Sequence, residues 1–147
     1  MTKKFSARME DIAKLTERQL KAVIVASVQD VLEAAQTPQP SVKRTGGSFE
    51  TGKIPVDEGD LIQSLEIGFN SAYQQTGGAV ALSAAAFSLG DTINARWTAA
   101  HALRIELGFS GADSLGRTYS QEGRHFLGHN AARWSEFVAA NAAKYKV

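Results

Sequence analysis

Residues 7–35 constrain this chain more than any other segment. Apolar side chains recur at Met9, Ala13, Leu20, Ile24, Val28, Val31 and Ala35. Steps of mostly three, four or seven draw a single stripe along a helix. The first half of the segment is heavily charged and the second half apolar, so the spacing predicts that residues 23–32 are the better buried part. Thr37-Pro38-Gln39-Pro40 ends the helix, because a proline ring clashes with the preceding turn and supplies no N–H. At about 1.5 Å per residue such a helix exceeds roughly 40 Å, longer than a compact core of this size needs. One end is therefore expected to project or to lie against a neighbouring chain.

Residues 36–60 contain all three prolines, and Lys43, Arg44 and Lys53 make them locally basic. They read as a long irregular arm, of the kind that is uncommon in small domains and usually functional, with a merely flexible loop as the alternative. Pro55 fixes its own φ, Asp57 is the candidate N-cap, Gly59 allows a tight turn, and a short helix is expected over 59–64. Residues 65–69 read as a strand. From Ile67 to Ala95 the only charged side chain is Asp91, which predicts a largely buried stretch. Val80, Leu82, Ala84 and Ala86 alternate, then Phe87 and Leu89 continue on the other parity, as in two strand halves joined by a bulge, although the alanines also suit a helix. A returning strand is expected over 92–97 and a short helix over 98–107, closed by Gly108. Residues 109–124 read as a polar, glycine-rich loop. A last helix is expected over 127–145, with Leu127, Ala131, Trp134, Val138 and Tyr145 as its apolar stripe. The expected class is α+β: a long N-terminal helix, a small antiparallel sheet of about three to four strands, a short middle helix and a C-terminal helix, in one domain over 1–147.

Charge and composition narrow the function classes. The 147 residues carry 16 basic and 15 acidic side chains, a net charge of +1. A dedicated nucleic-acid binder shows a basic excess or a basic face, so a DNA-binding regulatory domain is disfavoured. Without cysteine there is no disulfide framework, thiolate metal site or cysteine nucleophile. No apolar run reaches membrane-spanning length, so no membrane partner is expected. Charged residues at Arg8, Glu10 and Asp11 break the apolar stretch a signal peptide needs. The cytoplasm, or a particle assembled there, is the expected location.

Candidate chemistry is sparse. His125 and His129 are four apart, and Glu106 is a candidate third metal ligand, which would suit a small metal-dependent hydrolase. The alternative is two surface or interface histidines. Asp57, Glu58 and Asp60 cluster as a divalent-ion or acid–base site would, but also as carboxylates at a helix start do. Neither a nucleophile elbow nor a phosphate-binding glycine loop occurs. Arg117-Thr118-Tyr119 and Arg124-His125-Phe126 set basic beside aromatic side chains, a pattern that in a nucleic-acid protein meets phosphates and bases. With a nearly neutral chain, loop and core roles are favoured. No cofactor is expected.

Three segments, in order, resemble the signature of a known family. Pro55-Val56-Asp57-Glu58-Gly59-Asp60-Leu61-Ile62-Gln63-Ser64 is similar to a Pro-Val-Asp-Thr-Gly-x-Leu-x-x-Ser pattern. His101-Ala102-Leu103-Arg104-Ile105-Glu106-Leu107-Gly108 is similar to Tyr-Ala-x-x-Val-Glu-x-Gly. Arg124-His125-Phe126-Leu127-Gly128-His129-Asn130-Ala131 is similar to Arg-Pro-Phe-Leu-x-Pro-Ala at the start of a C-terminal helix. Together they resemble the neck, or head–tail joining, proteins of long-tailed bacteriophages. Glu58 stands where the family has threonine, His101 where it has an aromatic, and His125 and His129 where it has prolines.

The resemblance implies a non-enzymatic virion subunit at the head–tail junction, assembled in the bacterial cytoplasm. It would form a homo-oligomeric ring between a connector or head-completion protein and a tail terminator or tail-tube protein, with genomic DNA passing through. A tail-terminator or minor tail subunit is the alternative station. The motif residues Pro55, Val56, Asp57, Gly59, Leu61, Ser64, Glu106, Gly108, Phe126 and Leu127 would then be structural. Lys43, Arg44, Lys53 and Arg117 are candidates to face the DNA lumen or to serve the arm.

Overall fold

The computed structural model describes the backbone of residues 2–112 and 114–146, and the side chains of 16–112, 114–118 and 120–146. The fold is α+β. The first helix, α1, runs Thr2–Ala35. Val23, Val25, Val31, Leu32 and Ala35 are buried, so the apolar half expected to carry the burial does carry it. The helix stops where Thr37 turns back, its hydroxyl donating to the Glu33 carbonyl at 3.0 Å.

The segment expected to be an irregular arm is folded back on itself. Strand β1 (Pro38–Pro40) pairs in parallel with β2 (Ile54–Val56). Residues 41–53 make the crossover such a pair requires, and α2 (Val42–Thr45) lies within it. Gln39, between the two prolines, points inward and closes this loop. Its amide nitrogen donates to the Glu50 and Lys53 carbonyls, both at 2.7 Å, and its oxygen accepts the Glu50 N–H at 2.7 Å. A buried amide with its donors and acceptor all satisfied holds a loop that has little apolar content of its own.

Asp57 does not cap the next helix, α3 (Asp60–Gln63). Gly59 occupies the cap position at φ +91°, and no side chain caps it. Asp57 lies two residues before the cap position, and its carboxylate meets α2 instead, with Arg44 Nε at 3.4 Å and Lys43 Nζ at 3.5 Å.

The central sheet is three-stranded and antiparallel, ordered β4-β3-β5, with β3 at Leu65–Phe69, β4 at Ala72–Gln75 and β5 at Ile93–Trp97. Strands β3 and β5 match the sequence reading; β4 stands in place of the bulged strand expected over 80–89. Asn70 and Ser71, at φ 54° and 69°, form the two-residue turn that returns the chain at once. Gly68 makes the return possible, because a Cβ there would stand 2.0 Å from the Ala72 carbonyl oxygen. Residues 79–92 then form an irregular segment with one 3-10 turn, Ala84–Ala86. Phe87 is buried, and Val80 and Leu82 lie against Leu32, Leu65 and Ile67, but most of the segment is exposed. Having Asp91 as its one charge does not mean burial: its serines, threonine, glycine and open backbone hydrate well without more.

Helix α4 (Ala102–Leu107) leads directly into β6 (Gly108–Ala112), which pairs with β7 (Thr118–Glu122) as a hairpin where a loop was expected. The expected C-terminal helix is two pieces, α5 (Gly128–Ala131) and α6 (Trp134–Lys144). They are separated by a turn at Ala132 and Arg133, where the Arg133 N–H bonds the Asn130 carbonyl at 3.1 Å, while the buried Asn130 amide fixes α5 by donating to the Phe126 carbonyl at 2.7 Å and the Gly52 carbonyl at 2.8 Å. Trp134, expected on the apolar stripe, is 41% exposed in consequence. Helix α6 lies along α1 through Asn141, which donates to Asp30 Oδ2 at 2.8 Å and Ser27 Oγ at 3.2 Å. It ends where the Tyr145 carbonyl accepts from Gln19. Residues 2–18 of α1 continue past that point, about 25 Å of helix. Among the described residues no helix is long and apolar enough to cross a membrane.

Candidate functional site

The three motif segments, far apart in sequence, converge on one node. Ile54 and Leu61, from either side of the Pro55 turn, share a core with Ala35 and Phe126. The Phe126 ring meets Trp97 edge-on, centroids 5.1 Å apart. Trp97 also touches the Leu32, Leu65 and Ile67 cluster, so it joins both cores. Its indole N–H donates to Gln36 Oε1 at 2.8 Å, and the Gln36 amide nitrogen donates to the carbonyls of Ile62 and Gly78. Ser64 donates to the Leu61 carbonyl at 2.7 Å, while its own carbonyl accepts the Thr98 N–H.

The second and third motifs are joined through backbone and one carboxylate. Ile105 and Glu106 carbonyls accept the N–H groups of Arg124 and His125, at 2.8 and 3.1 Å. Gly108 and Gly123 let the two chains approach; a Cβ on Gly123 would lie 2.4 Å from the Glu106 carbonyl oxygen. Both Glu106 carboxylate oxygens accept from the start of α5, Leu127 N–H at 3.0 Å and Gly128 N–H at 2.8 Å. A carboxylate at exposed helix N–H groups is a favourable use of that charge.

This arrangement leaves the proposed metal set unassembled. His125 stands at φ 49°, before α5 begins, and the His129 ring lies over Gly52, where a Cβ would be 2.5 Å from Cδ2. Among the described residues, no group of three His, Asp or Glu side chains is placed to hold a metal ion. The Asp57 carboxylate faces Lys43 and Arg44, rather than completing an ion site with Glu58 and Asp60. Lys53 pairs with Glu50 on the crossover loop, and Arg117 lies between β6 and β7.

The crossover loop and the β6–β7 hairpin face each other across a groove. Its larger lobe is about 850 Å³ and its smaller about 330 Å³. Val42, His101, Ile105, Gln121 and Arg124 line both lobes. Arg124 is the unexpected residue here, only 1% exposed. The Phe49 ring lies 4.2 Å from its guanidinium carbon, Nη1 donates to the Glu122 carbonyl at 2.5 Å, and Nε has no partner. Burial pushes its pKa below arginine's ordinary value, and the Glu122 charge opposes that shift.

Sequence reasoning missed Gln36, Gln39, Asn130 and Asn141 as structural anchors. For Asn141 a signal existed: it falls three after Val138 and four before Tyr145, a polar residue on an apolar stripe. Ser27, its partner, stands in the same relation to Ile24 and Val31. No family model, curated protein or solved structure matches this chain.

Proposed function

We propose that this chain is a non-enzymatic ring subunit of the head–tail junction of a long-tailed bacteriophage. The observation that carries the reading is the convergence of the three motif segments. Their characteristic residues have framework roles: Leu61 and Phe126 fill one core, Glu106 holds the start of α5, and Gly108 permits close backbone approach. Residues of this kind fix a shape, and a ring subunit's function is its shape. The helical extension over residues 2–18 gives a subunit something to lay against its neighbour, as the different-patch contacts of a closed ring require. Lys43, Arg44 and Lys53 on the crossover loop, with Arg117 on the hairpin, are the candidates to face passing DNA. The flanking partners would be a connector or head-completion protein and a tail terminator or tail-tube protein.

The test is a phage lysate lacking this protein. DNA-filled heads and free tails should accumulate unjoined, and supplying the full chain should restore joined particles. Normal particles in its absence would overturn the reading.

A further inference from the structure

We propose that the groove between the crossover loop and the β6–β7 hairpin is a docking site for an acidic segment of a partner protein. In it, a partner carboxylate meets Arg124 while an adjoining apolar side chain lies on Phe49, Ile105 and Phe109. Charge complementarity carries the argument. Arg124 is nearly fully buried, yet among the described residues no carboxylate lies within 4.0 Å of it, and its Nε is unpaired. The more distant Glu122 charge only partly offsets the cost of burying this guanidinium, and a carboxylate in direct contact is the group that relieves the rest. Arginine's planar fork suits a carboxylate in particular. The cavity supplies the remainder of the site. The wall of the larger lobe is largely apolar around Val42, Ile105 and Phe109, and Arg104, stacked 4.3 Å from the Phe109 ring centre, adds a second positive charge against the carboxylate of Glu122. Asp57, Glu58 and Asp60 line the smaller lobe, so the acidic segment docks in the larger one. Phe49 belongs to a loop and covers the guanidinium face, and in the proposed complex its side chain swings aside as the partner carboxylate reaches Nε. The proposal rests on groove chemistry and not on a station in a virion.

The test is titration of the isotope-labelled full chain with acetyl-Ala-Phe-Glu-Phe-Ala-amide and with its glutamine counterpart, observing the Arg124 Nε–H resonance. The glutamate peptide should bind about tenfold tighter and move that resonance downfield, as a charge-assisted hydrogen bond does relative to a neutral one. Free 3-phenylpropionate should bind more weakly than the peptide. Equal binding of the two peptides, or a stationary Nε–H resonance, overturns the proposal. So does 3-phenylpropionate binding as tightly as the peptide, which would mark a small-molecule site. None of these outcomes bears on whether the protein joins heads to tails.

Discussion

The Glu106 carboxylate and the Gly128 N–H, from motifs far apart in the chain, meet at 2.8 Å, with the Leu127 N–H on the second oxygen at 3.0 Å. This contact ties α4 to the C-terminal helices. Glu106→Gln keeps one acceptor and loses the charge, and should destabilise the fold by about 1–2 kcal/mol. Urea unfolding measures this as a lower midpoint with an unchanged slope. An unchanged midpoint would mean that the carboxylate is not holding α5.

Gln36 and Trp97 make the other central link. Gln36→Leu leaves the indole N–H and the carbonyls of Ile62 and Gly78 without their partner. The expected loss is about 1–3 kcal/mol, the range for partly buried polar groups left unpaired. Trp97 fluorescence should shift in the folded state, since its N–H loses a hydrogen bond inside the core.

Ser71 sits at φ 69°, where a Cβ is strained, and its backbone N–H donates to Asn94 Oδ1 at 3.0 Å. Ser71→Gly keeps that bond and removes the strain. It should raise stability by about 0.5–1 kcal/mol, read as an upward shift in Tm. A fall in Tm would contradict the two-residue turn between β3 and β4.

Asp91 holds the end of the irregular segment. The Asn70 amide and then the Ser88 N–H, bonded to its carboxylate, keep its pKa below the ordinary value. A depressed carboxylate pKa contributes stability at pH values above its unfolded titration range, and that contribution is lost as pH falls through the depressed value. Asn70→Ala should therefore move the Asp91 carboxyl titration upward toward the ordinary range, as followed by carbon-detected NMR. No movement would mean that Asn70 is not the cause.

Elements with strong local periodicity were legible in the sequence: α1 with its proline stop, β3, β5 and the short helix ending at Gly108. Elements set by single residues were not. The β3–β4 return depends on Asn70 and Ser71 adopting left-handed backbone and on Gly68 lacking a Cβ, none of which hydrophobic periodicity registers. The first piece of the C-terminal helix is held by Asn130, whose partner Gly52 is remote in the chain, so no local pattern signals that anchor. The groove was less legible still. Arg124 stood out as a basic residue beside an aromatic, but its burial arises only when residues 46–53 fold over it, and that closure depends on Gln39 reaching Glu50 and Lys53. The motif residues were visible as a set. Their roles as core, cap and close-approach positions required the fold.

The most direct measurement of the central claim is gold labelling of intact virions carrying an affinity-tagged copy of this chain, viewed by electron microscopy. Label concentrated at the junction between head and tail is the expected result. Intact, infectious particles that carry no label, or label confined to the tail tip, would contradict it.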